Sequence, residues 1–158
     1  MEYTIRDARP EDMAGVLALI QELADYEKEP HAVEITREEL IAHGFEQKLF
    51  HCFVADTPQG LGGIALVYPR YSTWKGPVIH LEDLIVAEPY RGSGMGTALL
   101  DRVVLYGHSL GVKRICWEVL DWNDPAIEFY ENKGARVLRD WDVVHLDHAG
   151  IKDYLERL

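Results

Sequence analysis

The stretch Ile79–Leu100, IHLEDLIVAEPYRGSGMGTALL, decides how the rest of the chain is read. It begins as a strand-like apolar run that carries two acids, Glu82 and Asp83. Pro89 ends that run, because proline has no amide for a further ladder bond and biases its predecessor away from helix. RGSGMG, Arg91–Gly96, follows, and then TALLDRVVLYGH, where Leu99, Leu100, Val103 and Val104 recur at helical spacing. The glycines thus sit in a strand, tight turn, helix arrangement, which has two readings. Gly92, Gly94 and Gly96 can adopt backbone angles closed to other residues, so that consecutive amides and the first helical turn converge on one anion such as a pyrophosphate; or they simply make a tight turn. The GK[ST] ending of a triphosphate loop is missing. A dinucleotide fingerprint fits poorly as well: Glu118 lies in the next strand, yet a short chain that opens with helices and a hairpin does not match a doubly wound fold.

Working outward, 158 residues with 47% hydrophobic content suit a single domain, 1–158, with a core that needs neither disulfides nor metals. No apolar run approaches the roughly 18 residues of a membrane span, and MEYTIRDARP lacks the apolar centre of a signal peptide. The expectation is a cytoplasmic protein that meets no membrane. Cys52 and Cys116 each lie inside a strand-like run and read as buried free thiols. A formal charge of −11 argues against nucleic acid, whose binders need positive surface, and leans toward a cationic partner. Seven acids, Glu22, Asp25, Glu27, Glu29, Glu34, Glu38 and Glu39, crowd the span from Glu22 to Glu39 against Lys28 and Arg37. That run reads equally as a solvated helix face or as a rim that attracts substrate.

In chain order, Tyr3–Asp7 reads as a strand. A helix opens at Pro10 and runs to about Tyr26, with Met13, Val16, Leu17, Ile20, Leu23 and Ala24 as its apolar stripe. Thr36 with Glu39 forms a capping box for a short helix that Gly44 closes. Leu49–Ala55 and Leu61–Tyr68 make a hairpin about TPQG, and Pro69–Pro77 reads as a loop bearing Tyr71 and Trp74. A fourth strand, Val78–Val86, leads to the glycine turn and a helix to about Ser109; Val112–Leu120 reads as a fifth strand. Asn123 or Asp124 can cap a helix begun by Pro125 and stopped at Gly134. Two short strands, Ala135–Leu138 and Val143–Leu146, and a helical tail Ile151–Leu158 close the chain. The order β-α-α-β-β-β-α-β-α-β-β describes an α+β domain with a mixed sheet.

The whole pattern resembles the GNAT superfamily of acyl-coenzyme A dependent N-acetyltransferases, and within it the spermidine/spermine (diamine) and thialysine branch. The resemblance rests on IRDARPEDMAGVLALIQELADYEKE, WKGPVIHLEDLIV, RGSGMG and WNDPAIEFYENKGA. RGSGMG fits the superfamily's (Arg/Gln)-x-x-Gly-x-(Gly/Ala) loop; LED-x-x-V followed by W-N-x-P-(Ser/Ala)-I-x-FY-x-x-x-GA is much narrower. The fold this implies is a central mixed, mostly antiparallel sheet, splayed between the fourth and fifth strands, with helices on both faces. Acetyl-CoA is the implied cosubstrate. Its arm would lie in the gap, met by main-chain amides of Leu84, Ile85 and Val86. Its pyrophosphate would lie on the amides of Gly92, Ser93, Gly94, Met95, Gly96 and Thr97, with Arg91 facing a phosphate. Asn123 and Pro125 fall in the segment that touches the coenzyme arm in the family, and Asn123 also reads as a plain helix cap. After the tyrosine, Glu131 and Asn132 depart from the basic residues of the relatives.

Acetyl transfer to an amine asks for a neutral amine, a polarised thioester carbonyl and a proton for the departing thiolate. The resemblance makes Tyr130, of the FY pair, the general acid, and an ordinary tyrosine is protonated at neutral pH as that role requires. Glu82 is the corresponding base: too weak to act directly, it can attract an ammonium group and relay its proton through water, or only hold the substrate. Strand alternation turns Asp83 away from Glu82. His80, two residues before Glu82, reads as a buried hydrogen-bonded ring or a contributor to the proton path. Tyr26, Glu27 and Trp74, with Glu82, match positions that line the amine side of the cleft in the branch, and an aromatic wall with carboxylates suits an alkylammonium. His145 and His148 flank Asp147 without a third ligand at metal spacing, so no metal is expected. Dimers typify the branch, and Trp141, Val143 and Val144 offer apolar material for a homodimer. The expected activity is acetylation of a small cationic amine; the alternatives are a protein or peptide N-acetyltransferase and a non-catalytic coenzyme A binding domain.

Overall fold

The computed structural model describes residues 2–158. They fall into two compact units, one running to Glu118 and the other Val119–Leu158. In the first, a five-stranded sheet has the order β1 (Thr4–Asp7), β2 (His51–Thr57), β3 (Gly60–Ser72), β4 (Gly76–Val86), β5 (Ile115–Cys116). The first four strands are antiparallel neighbours, whereas β5 lies parallel to β4. The expected mixed, mostly antiparallel sheet is therefore present. So is the gap: among the described residues β5 pairs only Ile115 with Ile79 and Cys116 with His80, while β4 continues through Leu81–Val86 with no strand beside it on that edge. The fifth strand expected over Val112–Leu120 shrinks to these two residues because the ladder, which makes a strand, ends at Cys116.

Helix α1 (Met13–Tyr26) buries Met13, Val16 and Leu19 at threefold spacing, in a cluster with Cys52 and Val54 of β2, Ile64 and Leu66 of β3, and Ile85 of β4. Helix α3 (Met95–Ser109) buries Met95, Leu99, Leu100 and Val103 and packs on β2, β3 and β4. Its Arg102 lies over the Phe53 ring at 4.7 Å, and Phe53 alternates with the Cys52 and Val54 of the first cluster. Strand period two thus sends alternate residues to α1 and α3, and helices cover both faces. Close approach of α3 depends on two glycines of β3. A Cβ on Gly62 would sit 2.8 Å from Met95 Cε, and one on Gly63 would sit 2.6 Å from the Ile85 carbonyl oxygen and 3.0 Å from Leu99 Cδ1.

Three local expectations change. Helix α2 (Arg37–Ile41) opens on the capping box: Glu39 N donates to Thr36 Oγ1 at 3.2 Å, and Thr36 N donates to Glu39 Oε2 at 2.9 Å. It does not stop at Gly44 but passes into a π-helical turn, Ala42–Glu46. Gly44 is needed there for space, since its Cβ would fall 2.6 Å from the Phe50 ring. Second, Pro69–Pro77 is mostly strand. Its pairs Pro69–Ile79, Arg70–Val78, Tyr71–Pro77 and Ser72–Gly76 extend the β3–β4 hairpin. Pro69 is tolerated because β2 ends opposite Val67, so the side of β3 that lacks an amide faces no strand. The third change lies in the second unit, which holds α4 (Asp124–Asn132) and α5 (His148–Leu155) but no strand. Ala135–Leu138 and Val143–Leu146 form no ladder, and Leu138, Val143, Val144 and Leu146 are exposed. Short runs of strand-forming residues make strands only where an edge receives them. Among the described residues no helix is long and apolar enough to cross a membrane.

Candidate active site

The end of β4 and the start of α3 enclose the glycine turn. After a 3-10 turn, Glu88–Tyr90, the chain passes Gly92 at φ 74° and Gly94 at φ 86°, the latter immediately before α3. A Cβ at either position would meet nothing within 4 Å, so the left-handed backbone is what demands glycine. No side chain caps α3, leaving its first amides, those of Met95, Gly96 and Thr97, without partners inside the helix. Ser93 is occupied locally: its hydroxyl donates to the Tyr90 carbonyl. Arg91 donates through Nε to the Val86 carbonyl at 3.1 Å and through Nη2 to Glu22 Oε1 at 3.3 Å, and it lies 5.6 Å from the centre of the Tyr26 ring. Glu22 Oε1 also accepts from the Glu88 amide at 3.0 Å. Glu22 thus ties α1 to the turn.

Glu82 occupies a β-bulge. The pairing runs Ala65–Leu84 and Leu66–Asp83, then shifts to Val67–Leu81, leaving Glu82 as the extra residue. The shift overturns simple alternation. Asp83 lies opposite Leu66, which packs in the α1-side cluster, and Glu82 reaches Tyr68, which packs against the same cluster. Both acids therefore serve one face, as expected where a bulge makes two residues oppose one. Burial, then the negative charges of Glu82 and Glu27, push the Asp83 carboxyl up to about 6. Burial raises Glu27 as well.

Around Glu82 stands a set of polar groups. Tyr68 Oη donates to Glu82 Oε2 at 3.0 Å, and burial followed by this bond pushes the phenol up to about 12. His80 Nε2 lies 3.5 Å from the same oxygen. The Nδ1 of His80 faces Cys116 Sγ at 3.6 Å and Arg70 Nη1 at 3.5 Å. Burial lowers the His80 pKa despite the opposing pull of Glu82. Glu82 itself is half exposed, at 51% of its side chain, beside the unpaired edge of β4. On that edge, strand geometry turns alternate amides of the segment Leu84, Ile85, Val86 outward from β3.

The amine-side set divides. Tyr26 and Glu27, at the end of α1, lie on the Arg91 side, whereas Trp74 is 80% exposed at the tip of the β3–β4 hairpin. There it borders a shallow cavity of about 460 Å³ with Lys75, Pro77, Leu110 and Lys113. The length of β4 separates the two places, roughly 30 Å at strand rise. In the second unit, Asn123 caps α4 by accepting from the Ala126 amide at 3.4 Å, Pro125 sits in the first turn, and Tyr130 stands near its end with Phe129 5.4 Å away edge to face. Glu131 and Asn132 are exposed, as are Trp141, Val143 and Val144. Among the described residues no group of three or more His, Cys, Asp or Glu could hold a metal ion. Sequence reading missed Tyr68 and Arg70, because only the hairpin register brings Tyr68 to Glu82 and Arg70 to His80.

The left-handed glycines, the uncapped α3 and the free edge of β4 suit a ligand with a phosphate and an extended, hydrogen-bonding arm. Comparison with known proteins agrees. Residues 16–135 match the acetyltransferase (GNAT) family. The thialysine N-epsilon-acetyltransferase of Sus scrofa is 40% identical over 150 residues, covering 89% of this chain and 88% of that protein. Its namesake in Caenorhabditis elegans is 31% identical over 157 residues, covering 98% of each. Among solved structures, an integron cassette protein from V. cholerae superposes with a TM-score of 0.79 at 20% identity, covering 99% of both chains, and shares the fold. The chain belongs to the acetyltransferase (GNAT) family and is an acetyl-CoA-dependent enzyme that acts on amines.

Proposed function

We propose that this enzyme acetylates a primary amine of a small cationic substrate, a polyamine, a diamine or a thialysine-like amino acid, by direct attack. The observation that carries this reading is the half-exposed Glu82 carboxylate at the bulge, beside the free edge of β4, with Asp83 on the same face. The pig and worm relatives act, by their names, on thialysine, and the net charge of −11 favours a cation. Acetyl-CoA, when bound, supplies an activated acetyl group as a thioester. The residues that would hold it are the amides of Leu84–Val86 along the arm, those of Gly92–Thr97 with Arg91 at the phosphates, and the segment holding Asn123 and Pro125. Glu82 draws in the ammonium group and passes one of its protons to water, which frees the nitrogen lone pair. Tyr130 gives its hydroxyl proton to the departing sulfur. Both units then belong to one catalytic domain, 1–158, and the family match at 16–135 crosses the boundary between them.

A homodimer completes the proposal: the apolar side chains of Trp141, Val143 and Val144 are exposed, as is Trp74 at its hairpin tip. Sedimentation at the mass of one chain would count against this.

The decisive experiment is an acetyl-transfer screen over spermidine, putrescine, thialysine, lysine, glutamate and short peptides, read out by thiol release. Turnover confined to peptides would overturn the small-amine reading. Tyr130→Phe should lower turnover roughly 10 to 1000-fold at unchanged coenzyme affinity, and full turnover in a chemistry-limited assay would remove Tyr130 from the reaction. Gly94→Leu should raise the coenzyme dissociation constant at least roughly 10-fold while costing about 1–2 kcal/mol of stability, because the left-handed backbone disfavours a side chain. Unchanged affinity in that folded variant would remove the turn from the coenzyme site.

A further inference from the structure

Among the described residues, the Glu82 carboxylate is approached on one oxygen only. Tyr68 Oη donates to Oε2 at 3.0 Å, and His80 Nε2 lies 3.5 Å from that same atom. The hydrogen on His80 can be placed from its surroundings. Its Nδ1 faces the Arg70 guanidinium at 3.5 Å and the Cys116 thiol at 3.6 Å. A guanidinium has donors and no acceptor, so Nδ1 must offer its lone pair, and a neutral ring then carries its hydrogen on Nε2, aimed at Glu82. The groups that face this ring are Tyr68 and Arg70 from β3, Glu82 on its own strand, Cys116 of β5 and Glu118 just beyond it. Of these, Arg70 joins burial in keeping the ring neutral, while Glu82 and Glu118 pull the other way.

We propose that Tyr68 and His80 are positioning residues that hold Oε2 of Glu82 so that Oε1 meets the incoming ammonium, and that Arg70 selects the His80 tautomer that makes this possible. The proposal rests on the reading of Glu82 as the amine-facing acid. His80 and Glu82, two residues apart on β4, share a face, and Tyr68 lies opposite His80 on that same face; the bulge at Glu82 brings Asp83 to it as well. With one oxygen anchored, the carboxylate loses the rotation that an exposed glutamate keeps, and the other oxygen sits where a proton can pass to it.

The test is kcat and KM for acetyl transfer to thialysine and to spermidine, in Tyr68→Phe, His80→Phe, His80→Gln and Glu82→Gln, and in the two Phe variants combined with Glu82→Gln. Thermal unfolding verifies that each variant folds. Tyr68→Phe and His80→Phe should each lower kcat roughly 10-fold with the acetyl-CoA KM unchanged, since a displaced catalytic group loses rate more than binding. His80→Gln, whose amide can present an N–H near the place of Nε2–H, should recover most of that loss. In the Glu82→Gln background neither Phe substitution should cost anything further, because there is no longer a carboxylate to hold. Undiminished losses in that background would make Tyr68 and His80 merely structural and overturn the proposal. Full kcat in both single Phe variants while Glu82→Gln is impaired would do the same and leave the Glu82 reading standing. Full kcat in Glu82→Gln, or no transfer to either amine by the unaltered enzyme, would instead bring down the reading beneath it. Imidazole nitrogen NMR gives a check that depends neither on activity nor on the His80 variants folding: the His80 hydrogen should be on Nε2, and finding it on Nδ1 would overturn the proposal.

Discussion

The two halves of β4 are one strand in sequence and two different objects in chemistry. Up to His80 it is paired with β3 and, at Ile79 and His80, with β5; Val78, Ile79, His80 and Leu81 are all buried. From Glu82 to Val86 it is paired on one side only, its burial is mixed, and it carries both acids. Strand partners on both sides at Ile79 and His80, with apolar side chains around them, make the first half a contributor to stability. In the second half, main-chain groups left without a strand partner and carboxylates facing one way are what a thioester arm and an ammonium group can use. The bulge at Glu82 is the border between them.

Three substitutions would break or sharpen that contrast. The largest effect belongs to Glu82→Gln, which should cost roughly 1000-fold in kcat/KM near pH 7, within the range for a lost acid-base group, with stability changed by no more than about 0.5 kcal/mol. The deficit should shrink as pH rises toward the amine's own pKa, where the substrate arrives neutral; a deficit constant up to pH 10 would leave Glu82 only a holding charge. Ile79→Ala, in the first half, should do the reverse. It should lose about 3 kcal/mol in denaturant unfolding, as buried Ile to Ala changes do, while kcat of the folded protein stays within about threefold. A comparable kcat loss would dissolve the distinction between the halves.

Asp83→Asn is the smallest and differs in sign. Burial, with Glu82 and Glu27 beside it, raises this carboxyl from 3.8 to about 6. Between those values the folded protein keeps the Asp83 proton and the unfolded chain has released it, so stability falls as pH rises through the window and the loss is complete above it. Replacement by a neutral amide should therefore raise stability at pH 7 by about 2 kcal/mol and remove that part of the slope, measured as the difference between the two urea-unfolding stabilities from pH 4 to 8. An equal or lower stability at pH 7 would show that the folded protein prefers the charged carboxylate.

What the sequence disclosed was local. Thr36 and Glu39 announced a helix start, the spacing of Met13, Val16 and Ile20 a helix face, and Gly92 and Gly94 a left-handed turn, each settled by neighbours a few residues away. What it withheld depended on partners distant in the chain. Pro69 reads as a loop residue until β2 is seen to end opposite Val67. The runs Ala135–Leu138 and Val143–Leu146 look like strands to a composition rule that cannot see whether an edge awaits them. The orientation of Asp83 was misjudged for the same reason, since a one-residue slip in register inverts every side chain beyond it. Tyr68 and Arg70 became part of the site only through that register.

The glycine pair in β3 carries a further consequence. Gly63 lies opposite Val86, and its missing side chain is what lets Ile85 and Leu99 close over it, while Gly62 makes room for Met95, the first residue of α3. The glycine turn is therefore geared to a strand some thirty positions earlier: α3 cannot ride outward on a bulkier β3 without carrying Met95, Gly96 and Thr97 with it. A methyl group gained at Gly63 would act as a shim under the turn we propose as the coenzyme's seat, so this turn and this strand must drift together or not at all.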